Sequence, residues 1–255
     1  MILTDTHTHL YSKEFDKDRA ERIQEAIDKG ISRFFIPAID SETTNAMYDL
    51  EKEFPKNIFL MTGLHPTSVK ENYQEELKHI EQQLEQRNFY AIGEIGIDLY
   101  WDKSLLKEQQ IAFRYQIKLA KANNLPIVIH CRDAFDEVFE VLESEKGEDL
   151  FGIFHCFTGN LEQAKQAISY NMKLGIGGVV TFKNGGLDTF LSEIPISNIV
   201  LETDSPYLAP APFRGKRNES AHIQLIAEKV AALYELELEE VAAITTKNSN
   251  DIFGV

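Results

Sequence analysis

Eight short apolar runs, at roughly residues 2–5, 32–37, 58–63, 89–94, 126–130, 151–155, 172–178 and 198–202, alternate along the chain with longer amphipathic stretches of helical period. Strands spaced by helix-length segments pair in parallel, because a parallel neighbour needs a crossover of a dozen or more residues. The pattern predicts an α/β fold, either an open doubly wound sheet or a closed barrel. The chain has 255 residues, close to the roughly 250 that one such barrel occupies. It carries no Pro/Gly/Ser-rich linker and no low-complexity tract, so residues 1–255 read as a single domain. Two helices are legible in detail. FDKDRAERIQEAIDKG closes on Gly30, and SLLKEQQIAFRYQIKLAKANN places Ser104 at an N-cap and ends at an Asn pair before Pro126.

The polar residues that end these runs decide between the two architectures. His7 and His9 follow MILTD, Glu94 closes FYAIGE, His130 ends PIVIH, His155 ends FGIFH, and Asp204 follows NIVLET. An open sheet gathers its site at one switch point fed by a few strands. Only a closed (β/α)8 TIM barrel lets the carboxyl ends of strands one, four, five, six and eight converge, and that barrel is the expected fold.

Taken singly, each residue has a plainer role. His7 and His9, two apart on a strand, share a face and can chelate one ion, or can form a polar strand end whose neighbours cap the first helix. Glu94, between Gly93 and Gly96, can bridge two cations through its two oxygens, or can be buried against an arginine. His130 or His155 alone reads as a core histidine donating to a carbonyl; together they make a second imidazole pair. Asp204 suits a ligand that also orients or deprotonates water, and Pro206 and Pro210 weaken its alternative as a helix cap. Six such groups exceed the needs of one ion, so two divalent ions are expected. Imidazole and carboxylate donors suit zinc, manganese, magnesium or nickel without selecting among them. Two ions about 3.5–4 Å apart are the arrangement that activates water and holds both oxygens of a phosphodiester displacement.

Around this cluster, His65 in GLHPT, Arg132, Arg214 and Arg217 are candidate contacts for substrate phosphate; a turn histidine and solvated cations are the alternatives. Tyr100 and Trp101 either stack on a base or cover the barrel rim. Gly175-Ile-Gly-Gly178 lacks the spacing of a phosphate loop and reads as a strand under close backbone approach. A formal net charge of −15 opposes non-specific attraction to nucleic acid or anionic membranes, and the basic stretch from Phe213 to Arg217 is a local exception. Cys131 and Cys156 form no CxxC pair and fit a reducing compartment as small buried residues. With no basic leader and no apolar run near the roughly 18 residues of a membrane span, a cytoplasmic monomer or weak oligomer is expected.

The segments DTHTHL, GLHP, GEIGIDLY, PIVIHCRDA, HCFTG, LETDSPYLAP and RGKRN, in this order over essentially the whole chain, resemble the TatD family of metal-dependent deoxyribonucleases, within the amidohydrolase-type hydrolases. The resemblance implies a (β/α)8 barrel with ligands at His7, His9, Glu94, His130, His155 and Asp204, and Glu94 as the bridge. It also implies metal-dependent hydrolysis of DNA, with 3′ to 5′ exonuclease action on single strands. Thr67 stands where some members carry a further histidine, and RNES replaces the more usual RNEP. Relatives with a carboxylated lysine between their metals would need lysine where this chain has Glu94, which counts against a cyclic-amide substrate. The alternative of another reaction class is amide or ester hydrolysis, for example by a D-aminoacyl-tRNA deacylase. A barrel reduced to a scaffold is disfavoured, because it would leave a costly polar cluster unsupported.

Overall fold

The computed structural model describes all 255 residues. Eight strands form as the alternation predicts: β1 (Leu3–Asp5), β2 (Ile31–Ile36), β3 (Ile58–Leu60), β4 (Ile92–Asp98), β5 (Ile127–Arg132), β6 (Gly152–Phe154), β7 (Met172–Ile176) and β8 (Ile199–Leu201). Each pairs in parallel with its neighbour in sequence, as one run from β1 to β3 and another from β4 to β8. Two seams join the runs into a ring. At the first, Thr62 bridges Ile92, and the Tyr90 N–H donates to the Leu60 carbonyl at 3.0 Å. At the second, the Thr6 N–H donates to the Leu201 carbonyl, also at 3.0 Å. The result is a single-domain (β/α)8 barrel, as expected.

Helices α1 (Arg19–Asp28), α2 (Thr44–Glu53), α3 (Tyr73–Gln86), α4 (Leu106–Ala122), α5 (Phe135–Ser144) and α6 (Leu161–Ser169) each follow the strand of the same number. Helix α1 stops before Gly30, whose φ of 92° lets the chain turn into β2. The expected cap of α4 is corrected: Leu105 holds the N-cap position, while the Ser104 N–H turns back to the Asp102 carboxylate at 2.8 Å. The crossover from β7 to β8 departs from the repeat. It is built from four short 3-10 turns, in a stretch broken by Gly185, Gly186 and Pro195, and both α7 (Ile223–Tyr234) and α8 (Leu238–Phe253) follow β8. No helix is long and apolar enough to cross a membrane.

Strand alternation sorts the apolar side chains into two cores. Outward-facing residues such as Phe34, Ile36, Ile129 and Leu201 join the helices in a cluster of 51 buried residues. Inward-facing Phe35, Val128, Ile153 and Val200, with Met61 and Ala91, fill the barrel interior. Ile252 and Phe253, at the end of α8, complete that inner layer, and the Phe253 ring stacks on Phe35 with centroids 3.7 Å apart. The last turn of α8 therefore closes the end of the barrel away from the histidines. Truncation of this plug, Phe253→Ala, is expected to lower the unfolding free energy by about 3–5 kcal/mol. Urea denaturation measures the loss, and the metal content of the folded fraction should stay unchanged because the plug lies at the opposite end from the histidine cluster.

Candidate metal centre

Four of the expected ligands, His7, His9, His155 and Asp204, stand just past the carboxyl end of a strand, whereas Glu94 and His130 lie inside β4 and β5. Strand β1 stops at Asp5, so His7 and His9 occupy the bend beyond it and not the strand itself. They still converge, with Nε2 atoms 3.3 Å apart. Glu94 lies inside β4. The register with β5 jumps from Gly93 to Ile95, leaving Glu94 on a bulge whose N–H bonds to the Ala38 carbonyl at 3.2 Å. A bulge re-aims one side chain without ending the strand, and here it turns the carboxylate into the barrel. Gly96 (φ 144°) permits the β4–β5 contact, since a Cβ there would lie 2.0 Å from the His130 carbonyl oxygen. Asp204 follows β8 in a left-handed conformation (φ 56°), and its N–H donates to the His7 carbonyl at 2.9 Å.

The Glu94 carboxylate divides the histidines between its two oxygens. Oε2 faces His7 Nε2 at 3.1 Å and His9 Nε2 at 3.6 Å, and Asp204 Oδ1 lies 3.5 Å from the same His9 nitrogen. Oε1 faces His130 Nδ1 at 2.8 Å, His155 Nε2 at 3.1 Å and His65 Nε2 at 3.3 Å. Three triads here have ligand atoms close enough to hold an ion: His7, His9 and Glu94; His7, His155 and Asp204; His65, Glu94 and His130. His65 thus sits beside the Glu94 carboxylate, with its Nδ1 against Thr67 Oγ1 at 2.7 Å.

Two carboxylates that the motif reading passed over complete the arrangement. His130 Nε2 meets Asp98 Oδ2 at 2.9 Å, and His155 Nδ1 meets Glu202 Oε1 at 3.1 Å. Each imidazole therefore has one nitrogen on an outer carboxylate and the other on Glu94. The sequence did carry signals for both. Asp98 stands four residues beyond Glu94 in the same strand, and Glu202 directly follows the apolar run of β8.

Burial pushes the Glu94 carboxyl up, yet the His155, His65 and His7 imidazoles hold it well below the usual carboxylate range. Burial pushes His7 and His65 down, toward neutral imidazoles with a free lone pair. The residues present fit a pair of divalent cations on the chemistry of the donors. Glu94 and Asp204 are buried with imidazoles as their only ionisable basic neighbours, with no lysine or arginine in pairing distance, and the nitrogen lone pairs and carboxylate oxygens face one another across gaps of 2.8–3.6 Å.

Above the cluster opens a cavity of about 920 Å3, lined among others by Trp101, Arg132, Phe182, Arg214 and Lys216. Arg132 lies over the Tyr100 ring at 3.7 Å and Arg214 over Phe182 at 3.9 Å. Neither guanidinium is paired with a carboxylate, so their N–H edges are free for an anion. Arg217 is different, and its expected contact with substrate is corrected. It forms a two-pronged pair with Asp18 at 2.7 and 2.8 Å, bonds Glu219 at 2.9 Å and covers the Phe15 ring, outside the cavity lining. Cys131 and Cys156 are free thiols on the cavity wall, pushed up by burial and so protonated at neutral pH.

Two measurements check this geometry. Glu94→Gln should lower divalent metal retained after dialysis by more than half, read by elemental analysis. Arg217→Ala should cost about 1 kcal/mol of stability with KM unchanged, whereas Arg214→Ala should raise KM and leave the melting temperature alone.

The family profile described as TatD related DNase matches residues 4–254. The chain is 40% identical over 255 residues to the "Uncharacterized metal-dependent hydrolase YabD" of Bacillus subtilis, covering all of both chains. It is 29% identical over 258 residues to the "3′-5′ ssDNA/RNA exonuclease TatD" of Yersinia pseudotuberculosis, covering 98% of each. The crystal structure of YJJV, a TatD homologue from Escherichia coli, superposes with a TM-score of 0.93 at 27% identity, covering 99% of this chain and 98% of that one. With a matching profile over nearly its full length and a barrel of the same shape, this chain belongs to the TatD-related family of metal-dependent hydrolases.

Proposed function

We propose that this protein hydrolyses phosphodiester bonds of DNA, removing nucleotides from the 3′ end of single strands, with two divalent ions held by His7, His9, Glu94, His130, His155 and Asp204. The observation that carries the reading is the division of Glu94: each oxygen faces its own set of imidazoles, directly beneath unpaired cations in an otherwise acidic protein. The name of the Yersinia relative, a 3′-5′ ssDNA/RNA exonuclease, supports the same substrate class.

Bound in this cluster, divalent ions supply Lewis acidity and bring the pKa of water from 15.7 toward about 7. The chain's own groups do the rest. Asp204 is 8% exposed and lines the cavity, so its carboxylate can orient the attacking water and accept its proton. Its contacts with His9 and His155 keep it ionised and ready to accept, since they outweigh a burial that pushes the carboxyl up. Arg132, Arg214 and Lys216 receive the phosphates that flank the scissile bond. Trp101, 70% exposed beside Tyr100, offers a stacking face for an unpaired base. A splayed single-strand end brings both phosphate and base faces to this rim, whereas a duplex keeps its bases stacked inside.

The reading is tested by digesting 5′-labelled and 3′-labelled single-stranded DNA with metal-stripped protein, restoring magnesium, manganese, zinc or nickel in turn. Shortening from the 3′ end is expected, dependent on metal and reduced about 10²–10⁴-fold by Asp204→Asn. If the protein binds two ions yet leaves DNA intact and deacylates D-aminoacyl-tRNA, the phosphodiesterase reading fails.

A further inference from the structure

Of the seven large apolar side chains exposed on this protein, four stand as two adjacent pairs, Tyr100 with Trp101 after β4 and Tyr207 with Leu208 after β8. The strands follow sequence order round the ring, so β4 and β8 lie across it from one another and the two pairs flank opposite sides of the mouth. Trp101 and Leu208 both line the cavity there. The reaction outlined above uses the first pair and gives the second no role. Tyr207 sets its ring edge-on to His9, with centroids 5.9 Å apart, whereas Leu208 is 42% exposed and joins no apolar cluster of the interior. The Leu208 backbone is left-handed (φ 51°), a conformation that glycine adopts freely and a bulky side chain resists. Three contacts pin this corner. The Tyr207 N–H donates to the Asp204 carbonyl at 2.8 Å, and the Asn218 N–H donates to the Pro206 carbonyl at 2.9 Å. Gly178, just beyond β7, approaches so closely that a Cβ there would lie 2.1 Å from the Leu208 carbonyl oxygen. A leucine held where glycine would relax the backbone adds apolar surface to the mouth and none to the core.

We infer that Leu208 is a specificity-determining residue: with Trp101 it holds two successive bases of a single strand on opposite sides of the cavity, drawing the 3′-terminal base off its neighbour. The occupant follows from charge and shape. The same cavity presents Arg132, Arg214 and Lys216 with no carboxylate paired to them, in a protein of net charge −15. A ligand that answers both the cations and the two apolar flanks carries phosphates together with accessible base faces. An unpaired strand does so, and a duplex keeps its bases stacked inside. Separating two stacked bases costs free energy, and an apolar side chain that covers the uncovered face offsets it. A splayed end also explains why the two flanks belong to strands on opposite sides of the ring, since one continuous stack would need only one of them. The inference rests on the nuclease reading for the choice of end, but base separation is measured without cleavage.

The test uses the full-length protein as purified and a single strand ending 3′ in two adjacent 2-aminopurines, with phosphorothioates in the last linkages to keep it intact. Stacked on each other, the two probes give a circular dichroism band at wavelengths where the protein does not absorb, and separation abolishes it. Binding to wild type should collapse the band, with the strand recovered uncut on a gel. Leu208→Gly should leave the band in place at saturation and weaken binding about 3–10-fold, the worth of covering the exposed part of one leucine. Its melting temperature should stay close to that of wild type, because glycine relaxes the left-handed backbone. Leu208→Asn, which also tolerates that backbone, must show the same persistence if Leu208→Gly loosens the loop. Leu208→Met should restore the collapse. A band that collapses equally on Leu208→Gly and Leu208→Asn would overturn the inference, and so would a band that persists on saturated wild type. If wild type separates the bases through Leu208 yet leaves an unmodified strand uncut with every metal, the splaying stands and the nuclease reading falls. Cleavage of an unmodified strand, with the band intact on wild type, is the reverse outcome, and failure of wild type to bind the strand overturns both.

Discussion

Thr6 and Leu201, 195 positions apart, share two hydrogen bonds: the Thr6 N–H and the Thr6 hydroxyl both donate to the Leu201 carbonyl. That seam turns a row of strands into a ring, and without it the residues after β1 and after β8 would lie at opposite edges of a sheet. The Asp204 N–H then reaches the His7 carbonyl, so the backbone that closes the barrel also aligns the first and last parts of the polar cluster. Beneath it, the inner layer from Phe35 to Val200, sealed by Phe253, gives the ring a packed interior on which to rest.

Within the ring, charge is arranged against the character of the whole molecule. The protein carries 41 acidic and 26 basic residues, yet the cavity wall presents Arg132, Arg214 and Lys216 with no carboxylate paired to them. Two of these stack on aromatic rings, which hold a guanidinium flat without consuming its N–H groups. Arg217, one residue beyond Lys216, is pinned by Asp18 and Glu219 and tethers the same basic loop to the entry of α1. The loop thus joins an anchored cation to neighbours that remain available.

The alternation of apolar runs and amphipathic stretches made all eight strands legible, because strand ends in a parallel barrel are marked by a change from β-branched residues to polar ones. Convergence of His7, His9, Glu94, His130, His155 and Asp204 followed from that topology. Asp98 and Glu202 were harder to see: in so acidic a chain, a carboxylate beside a strand looks like any solvated one until its partner is known. Arg217 was misread for the same reason in reverse, since its partner Asp18 lies 199 positions away. The shift of Glu94 onto a bulge and the four 3-10 turns before β8 are backbone choices that depend on neighbours across the fold, which periodicity does not encode.

Asp98 joins two regions that have been treated separately. One of its oxygens meets His130, and the other accepts the N–H groups of Tyr100 and Trp101 at 3.0 and 3.3 Å. The aromatic rim and the imidazole floor therefore hang from a single carboxylate. Any displacement of the rim on contact with a ligand loads the histidine below it, and whatever steadies that histidine steadies the rim. By thermodynamic reciprocity, whatever factor occupancy of the floor exerts on grip at the rim, the rim exerts in equal measure on the floor.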